Sequence, residues 1–500
     1  MALIPPGEWL PDQPPIENTG ALTATNVVPK TQRSYGPWRQ LSVLSTNALD
    51  SRPLGAFAGY SYAGGVFVFA GDAAKLYSYT GSTFADVSKA GGYATTAIYA
   101  DAVSRAWNFT QFGNLALVSN LSDPIQSWTM GTSSIFADLA PLTAPKGKYL
   151  AAVGDFLVVA YTDDAFDGQV SLRLWWSPIG APNDDDWGNT NKQSDFRTLP
   201  IGRYITGLVG GEYGLIFCRD AIYRMTYAGP PAIFSIDRIE SGHGCIAPGS
   251  IAQKGDRVFY LAEDGFKMRR GAEVVPIGAQ KVDGFFFDDI DASSIDRCIS
   301  VVDSTRKLYL IAYPGDGSTS GRPNRVLAFN YEIGRWATAE QQLDLLSDLS
   351  AESLTVEALG AIYTTVEDIP GSIDSPAFSG GTDYIAAFGT DKMLSEFTGA
   401  NAAMILDTTE INLVQGRKAR LRHLRAMIDT PSVTVRIGTR NQPDETPVFG
   451  AATSRESITG LHSFKSKARY HRARLEVPAG AVWTECYGVA DIEFSDAGKR

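Results

Sequence analysis

The chain has 500 residues, room for two to four domains of about 100–200 residues each, and 44% of them are apolar, enough to fill a large core. With four Cys, widely spaced, and four His, it argues against a disulfide scaffold and a zinc centre, and no run of about 18 apolar residues is present to span a membrane as a helix. The net charge of −11 is unevenly placed: residues 411–500 carry 15 basic and 9 acidic residues, whereas residues 1–410 carry 29 basic and 46 acidic ones, so an acidic body joins a basic end.

Residues 1–50 read as a Pro-rich N-terminal arm and first strands, packing on the C-terminal unit or on a neighbour. Pro5-Pro6, Pro11, Pro14-Pro15 and Pro29 oppose a regular helix and favour extended backbone. The opening Met1-Ala2-Leu3-Ile4-Pro5-Pro6-Gly7 lacks the basic start and apolar stretch of a secretory signal.

From about residue 51 to 400 the pattern is strand, tight turn, strand. Gly65-Val66-Phe67-Val68-Phe69-Ala70 leads through Gly71-Asp72 to Lys75-Leu76-Tyr77-Ser78-Tyr79, and the same grammar recurs at 114–119, 155–160, 213–225, 256–268 and 307–330. Gly supplies the positive φ that such turns need, and the 24 Phe, 21 Tyr and 9 Trp suit packed pleated faces. Hairpins recurring every 40–55 residues or so fit a β-propeller, because one small sheet cannot bury both faces alone and a ring of them can. About six blades are predicted; five or seven also fit the spacing, with one blade closed by strands from both ends. Ala339–Ser353 is the one stretch that reads as a short helix.

Residues 401–500 alternate basic or polar with apolar residues in Arg417–Met427, Val433–Ile437, Tyr470–Val477 and Val489–Phe494. A period of two describes strands with one wet face, here a basic one. The fold class is therefore all-β: a propeller followed by a C-terminal β-sandwich. Arg417, Lys418, Arg420, Arg422, Arg425, Lys465, Lys467, Arg469, Arg472 and Arg474 could meet phosphates, and the scarcity of interleaved aromatics favours instead a protein interface or a solvated face.

Catalytic signals are thin. No nucleophile elbow, P-loop, GxGxxG, HExxH or EF-hand pattern occurs, so no catalytic residue, cofactor or metal is assigned. His243 and Cys245 share the Gly-rich run Ser241–Cys245, with no orienting acid at a recognisable spacing. Asp184-Asp185-Asp186 offers hard oxygen ligands but sits in a Pro-Asn…Trp-Gly turn. The cysteines read as buried thiols. A glycan-active propeller enzyme, which needs paired carboxylates in its central pocket, and a lectin-like receptor binder stand as the alternatives to a structural role.

Several long runs resemble a known family. They are Ile205-Thr206-Gly207-Leu208-Val209-Gly210-Gly211-Glu212-Tyr213-Gly214-Leu215-Ile216-Phe217, continuing through Ala221–Pro231 to Gly244-Cys245-Ile246-Ala247-Pro248-Gly249-Ser250. Trp107–Asn114 and the stretch from Trp176-Ser177 to Asp186-Trp187 join them. Together they resemble the tail nozzle or hub proteins of short-tailed bacteriophages, the packaged-DNA stabilisation family, over about residues 50–345 and more loosely at the ends. The resemblance implies a propeller with a sandwich platform, assembled as a homohexameric ring in the virion tail. The ring would lie below the adaptor that continues the portal, carry tail fibres or spikes, retain the packaged genome and conduct double-stranded DNA during ejection. In that setting Arg417, Lys418, Arg420, Arg422, Arg425, Arg469, Arg472 and Arg474 are the expected adaptor interface. The long Pro-rich arm departs from the family pattern.

Overall fold

The computed structural model describes residues 3–14, 18, 20–93, 107–139, 144–351 and 383–498. Pro15, Glu352 and Ser353, which figure in the sequence reading, lie outside them.

Among the described residues seven four-stranded antiparallel units form the propeller. Blade I is Gly55–Tyr60, Val66–Gly71, Leu76–Tyr79 and Phe84–Asp86; blade II spans 108–138, blade III 146–198, blade IV 205–241, blade V 252–276 and blade VI 299–340. Blade VII combines Leu345–Ser350, Asp383–Phe388 and Leu394–Glu396 with Ser42–Val43 from ahead of blade I. First strands of successive blades lie side by side from I to IV and from V through VII back to I. Blades IV and V meet through a cluster that includes Val209, Phe217, Cys245, Val258 and Tyr260.

The count of about six is revised to seven. The extra blade was hidden because its strands come from two distant parts of the chain. The helix expected over Ala339–Ser353 is absent: Arg335–Glu340 and Leu345–Ser350 are strands. Leu345, Leu346 and Leu349 are spaced as on a helix face, yet they are buried between neighbouring blades, and a strand covered on both faces shows no period of two. The one α-helix among the described residues, α1, is Asp283–Asp289.

The sandwich draws on both ends of the chain. One sheet runs Val27–Thr31, Ser34–Pro37, Cys486–Asp496, Ala419–Ile428, His462–Ala468. The other continues blade VI: Arg335–Glu340 pairs in parallel with Ala24–Thr25, which pairs with Met404–Asp407, then Tyr470–Val477 and Thr434–Arg440. Propeller and sandwich therefore share one sheet. They also share one core, in which Phe266, Phe286 and Trp336 from the propeller join Leu424, Leu475, Trp483 and Val489.

The arm lies along this junction. Ile4 bridges Val489, Pro6 bridges Thr408, and Trp9, 2% exposed, sets its ring edge-on to Phe285 at 5.1 Å. Asp12 caps α1, its carboxylate accepting from the amides of Gly284 (2.8 Å) and Phe285 (2.7 Å). Arg335 fixes the arm from the blade VI side. Its guanidinium is buried, has no ion pair among the described residues, and donates to the carbonyls of Gly7 and Gln32 (both 2.7 Å) and to the Tyr35 hydroxyl (3.0 Å).

Candidate functional site

The exposed charge of the sandwich concentrates on the outer face of the five-stranded sheet. In Ala419–Ile428 the residues Ala419, Leu421 and Leu424 point to the core, so Arg420 and Arg422 point outward. On the neighbouring edge strand His462 and Ala468 are buried while Ser463, Lys465 and Lys467 are exposed. Arg420 stands opposite Lys467 in register, and a bulge between Leu421 and His423 brings Arg422 level with the Lys465 stretch.

Like charges facing each other across a strand pair repel. The third strand relieves only part of that repulsion. Asp496 pairs with Arg417 at 2.7 Å, Asp491 with Arg425 at 2.7 Å and Glu493 with Arg422 at 3.7 Å. Arg420, Lys465 and Lys467 have no ion pair among the described residues. The face thus runs from a lysine edge through an arginine row to an acidic row, and its outer two strands keep a surplus of positive charge open to solvent.

Two of the expected interface residues sit elsewhere. Arg472 is buried and donates to the carbonyls of Gly20 (2.7 Å) and Thr408 (3.2 Å). Arg474 holds Asp407 at 2.7 and 3.0 Å and stacks over the Phe449 ring at 3.8 Å. Their strand is central in its sheet, so the N-terminal segment covers the face that alternation alone made wet. Arg472 thus holds the N-terminal segment at Gly20, and Arg474 reaches it at the Thr23 hydroxyl (3.1 Å). Arg469 and Lys418 are half-buried.

The propeller channel holds a second charged group. There the Lys254 ammonium of blade V bridges two carboxylates of blade VII, Asp348 at 2.9 Å and Asp383 at 3.0 Å. Asp383 also accepts from Ser350 at 2.6 Å and from the Tyr60 hydroxyl of blade I at 3.2 Å. Burial raises the Asp348 carboxyl. Asp383 lies below its ordinary value: burial opposes the shift, and the Ser350 and Lys254 hydrogen bonds outweigh it. The two carboxylates are thus shared around one lysine, and the group ties three blades together. Lys148 and Asp296 line a separate cavity of about 200 Å³ with Asn108, Tyr149 and Gln253. Burial lowers the Lys148 ammonium and raises the Asp296 carboxyl.

The remaining motifs resolve locally. His243 has an acid beside it after all, Asp264 at 3.4 Å, but the Cys245 thiol is buried, donates to the Ala247 carbonyl at 3.2 Å and is pushed up to about 11 by burial, away from thiolate chemistry. Asp184 and Asp186 both hold the Lys192 ammonium, at 2.7 and 2.6 Å. All four cysteines are free and buried.

No protein-family model matches the chain, and no curated protein matches it. Solved structures similar to it include the computationally designed Ika8 protein, at 9% identity over 71% of this chain and 98% of that one, TM-score 0.34. BBS1N in complex with ARL6DN is similar at 10% identity over 72% and 96%, TM-score 0.39. The Neurospora crassa Pan2 WD40 domain is similar at 5% identity over 71% and 94%, TM-score 0.38. At these TM-scores none of the three bears on what the chain does.

The channel group was not legible beforehand. Tyr60, Lys254, Asp348 and Asp383 are scattered over more than half of the chain, and only ring closure brings them together. Lys465 and Lys467 carried a readable signal, the alternation of HSFKSKA, but their place beside Arg420 depends on strand order.

Proposed function

We propose that this chain is a structural virion protein, a subunit of a hexameric tail nozzle below the portal adaptor of a short-tailed bacteriophage, which retains the packaged genome and conducts it during ejection. The observation that carries the reading is the long resemblance from Ile205 to Ser250. Two features of the molecule support it. A propeller and a sandwich joined by one sheet and one core make a stiff wall element, unlike a propeller on a linker. The split charge separates an acidic body, which repels phosphate and lets DNA slide past, from a basic face suited to docking. In this reading tail fibres or spikes attach around the ring, and the surface facing the ring axis matters more than the propeller's own channel.

The test is immunogold electron microscopy of virions that contain the chain, together with particles assembled without it. Label at the distal end of the tail, and loss of packaged DNA from the deleted particles, are the expected results. Label on the head or on the fibres, or full DNA retention without the chain, would overturn the reading.

A further inference from the structure

We infer that the basic outer face of the five-stranded sheet docks head-to-tail on a second copy of this chain, against the acidic cleft where the N-terminal arm meets α1. The inference rests on the ring reading above and names the surfaces that would build the ring.

The basic side is the Arg420, Arg422, Lys465, Lys467 quartet. Its edge strand, His462–Ala468, has no further strand beyond it in its sheet among the described residues. The Arg420–Lys467 pairing is unfavourable in the isolated chain, and an external anionic surface relieves it.

The acidic side is a cleft of about 700 Å³ lined by Pro11, Asp12, Phe285, Asp288, Asp289 and Asp316. Asp289 is held by Arg325 at 2.9 Å and Asp12 caps α1. Asp288 and Asp316 are exposed and have no ion pair among the described residues. Asp288 also lies at the C-terminal end of α1, where the free carbonyls add negative potential. The cleft offers two open carboxylates beside the apolar surface of Phe285 and Pro11, a counterpart to two open strands of Arg and Lys.

Sheet order keeps the two surfaces apart within one molecule. The arm joins the five-stranded sheet at Val489, on one side of the Ala419–Ile428 strand, and the lysine edge lies on the other. Among the described residues no ion pair joins the quartet to Asp288 or Asp316. Two different patches make a heterologous contact, and such contacts close into a ring where the rotation between copies closes.

Charge swapping tests this directly. One variant carries Arg420→Glu and Lys467→Glu; the other carries Asp288→Lys and Asp316→Lys. All four side chains are exposed, and circular dichroism with thermal melting confirms that each variant folds. Sedimentation velocity is run on the full chain at about 0.1 M and about 1 M salt, between which the screening length falls from about 10 Å to about 3 Å. The expected results are wild-type self-association that weakens with salt, association weakened about tenfold or more in each variant, and recovery in the equimolar mixture, where the reversed sheet face meets the reversed cleft.

A wild type that stays monomeric at low salt, variants that associate like the wild type, or a mixture that fails to recover would each overturn the inference. Loss in the sheet variant alone would overturn the cleft assignment and give the face a different acidic patch of the second copy. Gel shift of a DNA duplex by wild type but not by that variant would assign it to DNA. These results leave the nozzle reading standing, since labelled virions decide it separately.

Discussion

Thr25 lies opposite Thr338 in parallel register, and that single pairing carries one sheet from blade VI of the propeller into the sandwich. The N-terminal segment is therefore a structural splice. It supplies the bridging strand, the outermost strand of blade VII and two strands of the five-stranded sheet.

Arg335 should be the weak point of this splice. Replacing it by Met keeps much of its volume but leaves the Gln32 carbonyl and the Tyr35 hydroxyl oxygen without their donor, and the Gly7 carbonyl with only the Tyr35 hydroxyl at 3.1 Å. Loss of about 3 kcal/mol or more is expected. Urea unfolding reads the stability, and limited proteolysis should show new cleavage ahead of residue 24 under conditions where the wild type resists.

Leu44→Pro should loosen the closure of the propeller. The Leu44 amide donates to the Leu394 carbonyl at 2.8 Å, and the Leu394 amide donates to the Ser45 hydroxyl at 3.0 Å. Proline removes the first bond and strains the second, at a direct cost of about 1 kcal/mol. Hydrogen exchange should quicken in Leu394–Glu396 and in the first strand of blade VII before it does in blade III. Uniform exchange across the blades would refute a local clasp.

Stability should fall in mild acid through His471. This residue is 2% exposed, its ring nitrogens find no hydrogen-bond partner among the described residues, and burial lowers its pKa from 6.5 to about 4. The folded value lies below the unfolded one, so the unfolded chain takes up the proton first. The His471 contribution is complete above about pH 6.5 and is lost as pH falls toward about 4, amounting to about 3 kcal/mol. Urea midpoints at pH 7.5 and pH 5 should differ less in His471→Gln than in the wild type. Asp283, raised to about 6 mainly by burial, acts with the opposite sign, so the comparison between variants is the informative one.

The four thiols should be silent in the native state. Burial is the first cause of the upward shift in each, to about 12 for Cys218 and Cys486 and to about 11 for Cys245. Titration with a disulfide reagent at pH 8 should count none within minutes in buffer and four in denaturant. Rapid reaction of one thiol in buffer would place it in an open site.

Much of the propeller was legible because a hairpin is a local object. Val66–Gly71 and Leu76–Tyr79 are adjacent in sequence, their turn chemistry lies between them, and both strands fall where alternation and Gly placed them. Blade VII was not legible. Its first two strands are 32 residues apart, its last precedes blade I, and its Leu-rich inner strand imitates a helix. The basic strands of the sandwich were readable one by one, as in Ala419–Ile428, where Arg and Leu alternate.

Local order in the chain, then, decided that it is all-β, that it folds as repeated hairpins and that its C-terminal strands are basic on one side. Tertiary structure decided which of those charges meet water. Arg420 and Arg472 occupy equivalent-looking places in alternating strands, yet one is exposed beside an edge strand and the other is buried under the N-terminal segment. The period of two says only that a side chain faces away from its neighbours in sequence. What lies across that face is set by segments hundreds of residues away, such as Gly20 against Arg472, and no local pattern encodes their arrival.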